Sequence, residues 1–215
     1  MKVVLVHAFP LDERMWEPQR AVLDGHEVVA PNLYDLGGNS VDGWAERILG
    51  EVEGDLVAVG ASLGGYVGLA MARQAPERVR ALLLAGSRAT ADPPERRAVR
   101  EDMIRVVKAA GIEGWNREFS PPGPGDRTID ELVKGIEALR DRADSTDVVA
   151  LFDGPLTVVV GDRDELLPVE EARQIAESAP EGRLEVVEGA GHLVNLDAPE
   201  RFNEILRELL ERAPR

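Results

Sequence analysis

The stretch Leu56-Val57-Ala58-Val59-Gly60-Ala61-Ser62-Leu63-Gly64-Gly65 runs a short apolar segment into a helical pattern through a serine set among glycines. Four successive apolar residues suit a strand covered on both faces, and Leu63–Gln74 then repeats apolar residues at helical spacing. Ser62 therefore falls on a sharp strand-to-helix turn. Such a turn lifts the hydroxyl above the carboxyl edge of a sheet and aims a helix N-terminus at the same place. Glycine is needed on both sides because side chains there would collide with the neighbouring strand and helix.

Outward from this segment the alternation recurs. Strand-like runs stand at Val3–Val6, Val28–Ala30, Val79–Leu84, Leu156–Val160 and Leu184–Val187, and amphipathic stretches at Trp44–Val52, Glu170–Ser178 and Glu200–Arg212. Strands alternating with helices predict an α/β fold, doubly wound around a mostly parallel sheet. The alternation breaks between Ser87 and Phe152, where strand patterns vanish. Residues 1–87 and 151–215 are thus read as the core, and 88–150 as a short helical lid insertion. Two helices are predicted within it, Glu95–Ala110 and Ile129–Arg140, each with its apolar residues on one stripe. Between them, Ser120-Pro121-Pro122-Gly123-Pro124-Gly125 forbids regular structure.

Composition narrows the function. With 215 residues, 44% of them hydrophobic, the chain can bury one ordinary core. The absence of cysteine excludes disulfides, thiolate metal sites and thiol nucleophiles together. Lys and Arg number 25 against 40 Asp and Glu, a formal net charge of −15 that repels phosphate backbones and anionic lipid. No window approaches about 18 apolar residues, and Met1–His7 is too short for a signal core. The expectation is a cytoplasmic protein acting on a small molecule, with neither nucleic acid nor membrane as partner.

A hydroxyl is a weak nucleophile near neutral pH, so Ser62 needs a base, and the base needs an orienting acid. Three histidines are available. His26 precedes a strand beside Glu27 and reads as a surface residue, whereas His192 lies in Gly189-Ala190-Gly191-His192, a loop after the last strand, where function concentrates. The acid comes from Gly161-Asp162-Arg163-Asp164-Glu165, a loop with three carboxylates, any of which could instead cap a turn or face water. The order serine, acid, histidine fits a nucleophile elbow. Gly60, Gly64 and Gly65 do not make a dinucleotide fingerprint, and one imidazole among acids is poor for zinc, so neither cofactor nor metal is expected.

Four stretches together resemble the α/β-hydrolase superfamily, and within it the small esterase and enol-lactonase-like members. They are His7-Ala8-Phe9-Pro10-Leu11-Asp12 with Arg14-Met15-Trp16, Gly60 to Gly65, Gly161 to Asp164, and Gly189 to His192 with Asp197-Ala198-Pro199-Glu200-Arg201-Phe202. The resemblance implies Ser62 as nucleophile, His192 as base and Asp164, rather than Asp162, as acid. It also implies an oxyanion hole from the backbone N–H groups of Leu63 and Phe9, with His7 shaping the loop. The chain begins at the strand that is third in the full family fold, so about six strands are expected rather than eight. Ala8 stands where the family usually has Gly, which would strain the loop if that position needs a positive φ. A substrate pocket is expected from Trp16, Met103, Trp115 and Phe119. The implied activity is carboxylic ester hydrolysis through an acyl-enzyme; the alternatives are a lactonase of the enol-lactone type and a non-catalytic ligand-binding protein on the same scaffold.

Overall fold

The computed structural model describes residues 1–118 and 127–214. Six strands form one sheet: β1 (Lys2–Val6), β2 (Glu27–Val29), β3 (Leu56–Ala61), β4 (Val79–Ala85), β5 (Leu156–Gly161) and β6 (Gly182–Val187). All neighbours pair in parallel, in the order β2-β1-β3-β4-β5-β6. The chain winds outward from β1 to β2, then returns to build β3 on the other side of β1. That reversal opens a crevice above the carboxyl ends of β1 and β3, where α/β sheets bind ligands.

The pleat divides the core. Val4, Val6, Leu56, Ala58, Leu82, Leu84, Val158 and Val160 face a layer made of α1 (Val41–Glu51), α2 (Leu63–Gln74) and α6 (Val169–Ser178). Val3, Leu5, Val57, Val59, Leu83 and Val159 face the other layer, a 3-10 helix over Glu13–Leu23 and α8 (Pro199–Arg212). Both faces of the central strands are thus covered, as their largely apolar runs require. The short α7 (Val194–Asp197) leads into α8, and the Gln19 side chain donates to the Asn195 carbonyl at 3.1 Å, tying α7 to the 3-10 helix.

Between β4 and β5 stand α3 (Pro94–Glu118), α4 (Ile129–Asp141) and α5 (Thr146–Leu151). Gly111, at φ 60° and ψ −154°, breaks α3 just beyond Ala110, after which a second helical stretch continues. Thr128 and Glu131 form a capping box that starts α4. The two long helices pack on each other through Val107, Trp115, Leu132 and Ile136. The far end of this segment belongs to the main core, since Leu139 and Val149 are buried with α2 and α6. No helix among the described residues is long and apolar enough to cross a membrane.

Candidate active site

Ser62 follows β3 with φ 50° and ψ −111°, the one non-glycine residue with positive φ among the described residues. Such a conformation costs on the order of 1–3 kcal/mol and persists only when its surroundings over-determine it. Those surroundings are visible. A Cβ on Gly60 would lie 2.3 Å from the Gly64 carbonyl, and one on Gly64 would lie 1.9 Å from the Val6 carbonyl oxygen. Ser62 N–H donates to the Ala85 carbonyl at 2.7 Å, and the Ser87 hydroxyl donates to the Ser62 carbonyl at 2.9 Å. Leu63 is the first residue of α2, so its N–H has no intrahelical acceptor and sits at the positive end of the helix.

Asp164 and His192 meet from two other loops. The Asp164 side chain is wholly buried, and its two oxygens lie 3.0 and 2.9 Å from His192 Nδ1. Its Oδ1 also accepts the N–H groups of Leu166 at 2.8 Å and Leu167 at 3.0 Å. Burial alone would raise its pKa, but the His192 hydrogen bond and charge, with the two amides, outweigh that and hold the carboxyl below its ordinary value. An ionised Asp164 makes Nδ1 the donor and leaves Nε2 of a neutral ring with a free lone pair. Of the other acids, Asp162 accepts the Gly189 N–H at 2.7 Å and shapes that turn, while Glu165 faces solvent.

His192 rests on the turn that holds Ser62. Gly86, at φ 61°, lies so close that a Cβ there would sit 3.0 Å from His192 Cε1, and its neighbours Ala85 and Ser87 are the residues that bind the Ser62 backbone. The structure thus brings Ser62 and the Asp164–His192 pair to one three-residue turn. Among the described residues the ring's hydrogen bonds are to Asp164, and none joins it to Ser62 Oγ.

The loop after β1 borders the same crevice. His7 is wholly buried, and burial pushes its pKa down to about 4. The neutral ring donates from Nδ1 to the Ala8 carbonyl at 3.0 Å and accepts the Leu33 N–H on Nε2 at 3.0 Å, fastening the β1 loop to the β2 loop. Ala8 avoids the left-handed region, so the strain anticipated for a non-glycine there does not arise; its N–H points to Met15 Sδ at 3.1 Å. The Phe9 ring stands edge-on to Trp115, centroids 5.5 Å apart, and lies over Gly135 of α4, where a Cβ would come within 2.3 Å of it. Asp12 ends the loop in a buried ion pair with Arg127 at 2.7 Å, and the Arg127 guanidinium covers the Tyr34 ring at 4.8 Å. Hydrogen bonds from the Arg14 side chain, against burial, lower the Asp12 pKa to about 2.

Sequence reasoning missed Gly86, Ser87, Asp12 and Arg127. Gly86-Ser87 at a strand's carboxyl end was a usable signal; the Asp12–Arg127 pair, 115 residues apart, offered none. The predicted pocket residues separate. Met103 and Trp115 share one cluster, against which Phe9 packs. Trp16 lies elsewhere, 2% exposed in the layer below the sheet, 6.0 Å from the Phe202 ring. Phe119 lies outside the described residues. His26 is exposed, and among the described residues no three His, Asp or Glu side chains converge as metal ligands would.

Comparison with known proteins places this geometry in context. The model of the Alpha/beta hydrolase family matches residues 3–205. A thermophilic esterase from Thermogutta terrifontis superposes with a TM-score of 0.88 at 29% identity, covering 98% of this chain and 89% of its own. The pimeloyl acyl-carrier protein methyl ester esterase of Aromatoleum aromaticum is 28% identical over 97% of both chains. The enol-lactonase of Burkholderia xenovorans shares the fold, with a TM-score of 0.79 at 20% identity over 97% of this chain and 90% of its own.

Proposed function

The chain belongs to the alpha/beta hydrolase family, and we propose that it hydrolyses carboxylic esters through an acyl-enzyme on Ser62. His192 Nε2 takes the Ser62 proton as Oγ attacks the carbonyl carbon, and Asp164 stabilises the imidazolium and fixes its tautomer. The tetrahedral oxyanion is received by the N–H groups of Leu63 and Phe9, a type of contact worth about 10²–10³ in rate per donor. Collapse expels the alcohol, which takes its proton from His192. Water then repeats the sequence on the acyl-enzyme, giving its proton to His192 and releasing the acid with Ser62 restored.

The buried Asp164 carboxylate on His192, set against the turn that holds Ser62 in a conformation L-residues avoid, carries this reading. Two of the similar proteins, both esterases, support the substrate class. In this reading α3 and α4 act as the lid, with Met103 and Trp115 beside Phe9 flanking the acyl group. A lactone meets the same three residues, its alcohol remaining tethered after ring opening, so a panel of esters and lactones orders the two.

Hydrolysis of p-nitrophenyl acetate by wild type and Ser62→Ala tests the proposal. Wild type turns over and Ser62→Ala falls by several orders of magnitude. Equal rates would leave only a ligand-binding protein on a hydrolase scaffold.

A further inference from the structure

Three arginines share one carboxylate beside the Ser62 edge. Asp92 is wholly buried and is met by Arg142 at 2.7 Å, Arg100 at 3.3 Å and Arg96 at 3.9 Å. A fourth, Arg88, directly follows Ser87 and pairs with Glu171 at 2.8 Å. Four guanidiniums in this network thus answer to two carboxylates, in a chain whose formal net charge is −15. An excess of positive charge partly shielded from water, as on Arg96 and Arg100, favours an anion beside it.

The network's position is informative. Tyr66, one turn along α2 from Ser62, lies under the Arg142 guanidinium, 4.3 Å from ring centroid to Cζ. At the other end Arg100 reaches Met103 Sδ at 3.8 Å, and Met103 belongs to the cluster against which Phe9 packs. The arginines therefore run from the residue after Ser87, whose hydroxyl binds the Ser62 backbone, to the cluster that abuts the β1 loop.

A purely structural role accounts for one of them. Arg142 is 2% exposed at its side chain and also donates to the carbonyls of Leu139 and Thr90. Arg96 is different: it stands farthest from Asp92 and its side chain is 35% exposed. Burial first, then the like charges of Arg88 and Arg100, press its pKa below the ordinary guanidinium value, as expected of a cation short of counter-charge.

We propose that Arg96, with Arg88 and Arg100 beside it, receives an anionic group of the substrate, so that the preferred ester carries a free carboxylate. This rests on the ester-hydrolase reading of the same edge. Because a charge-assisted hydrogen bond separates the two classes, the discrimination is on the order of tenfold or more.

The test uses a matched pair, monomethyl adipate and methyl hexanoate, which differ by one terminal carboxylate. Wild type should favour the monoanion in kcat/KM by about tenfold or more, and added salt should erode that preference by screening. Calorimetry on Ser62→Ala, which binds without turnover, should show the same order of affinities. Arg96→Gln brings both ratios toward one, and Arg96→Lys keeps the larger part. A merely structural Arg96 would instead lower the melting temperature and slow both esters alike. If both esters are hydrolysed equally at low and high salt, the anion subsite falls while the hydrolase reading stands. If neither is hydrolysed but Ser62→Ala binds the monoanion selectively through Arg96, the subsite stands and the hydrolase reading falls.

Discussion

Replacing Ser62 with glycine should make the protein more stable while abolishing its activity. The residue sits at φ 50° and ψ −111°, a region glycine enters freely and L-residues do not. Holding it there costs about 1–3 kcal/mol, and glycine returns part of that gain, about 0.5–1 kcal/mol, through its greater freedom in the unfolded chain. Little else changes on deletion of the side chain, because Ser62 Oγ does not cap α2. The net is a stabilisation of about 1 kcal/mol, or a rise of about 2–4 °C in Tm for a domain of this size. Ser62→Ala is the control, for it removes the hydroxyl and keeps the strain. Urea titrations and thermal melts of the three proteins give the comparison. Ser62→Gly no more stable than Ser62→Ala would refute the reasoning, since the elbow would then store no backbone strain.

Three further outcomes follow from the same geometry. His7 is held neutral with its pKa near 4, so below about pH 6.5 the unfolded chain binds a proton that the folded chain refuses; stability present above pH 6.5 should fall by about 3 kcal/mol on the way to pH 4, and urea titrations of His7→Gln across that window should show a flatter profile. Gly60→Ala would drive its Cβ to 2.3 Å from the Gly64 carbonyl, and is expected to lose the elbow outright, read as failure to accumulate folded protein by circular dichroism. Arg127→Gln leaves Asp12 buried with one partner fewer and unfastens α4 from the β1 loop, so kcat should fall at least tenfold with KM changing less; an unchanged kcat would show that this pair does not position the Phe9 amide.

The sheet was legible because its signal is local. β3 is apolar throughout and β4 and β5 are each interrupted by a single polar residue, Arg80 and Thr157, and each predicted strand lies within two residues of the observed one. Helices were legible through their stripes, though α1 begins at Val41 rather than Trp44 because Ser40 Oγ caps it by accepting the Gly43 N–H at 3.1 Å. The 3-10 helix over Glu13–Leu23 was not anticipated: Pro18 stands inside it, and its order derives from burial of Met15, Trp16 and Leu23. The same burial explains the misplaced Trp16, whose sequence neighbours pointed to the crevice while packing against Phe202 draws it below the sheet.

At the candidate site the serine turn and the histidine loop were readable from glycine spacing. Choosing Asp164 over Asp162 rested on the family resemblance alone, because both follow the same strand and glycine spacing does not separate them; in the fold Asp162 accepts the Gly189 N–H and Asp164 faces His192. The arginine network around Asp92 and the Asp12–Arg127 pair were hidden for a related reason. Arg142 meets Asp92 from 50 residues away and Arg127 meets Asp12 from 115, and charge pairing across such distances leaves no period in a sequence, whereas the i,i+4 spacing of Asp92 and Arg96 was a local signal.

The most direct measurement is mass spectrometry of the protein after treatment with a fluorophosphonate, a reagent that captures an activated serine as a stable adduct. The account predicts one adduct per chain, on the peptide carrying Ser62, absent in Ser62→Ala and formed about 10⁴-fold more slowly in Asp164→Asn, whose ring would be held in the wrong tautomer. An adduct on another residue, or equal rates in wild type and Asp164→Asn, would contradict it.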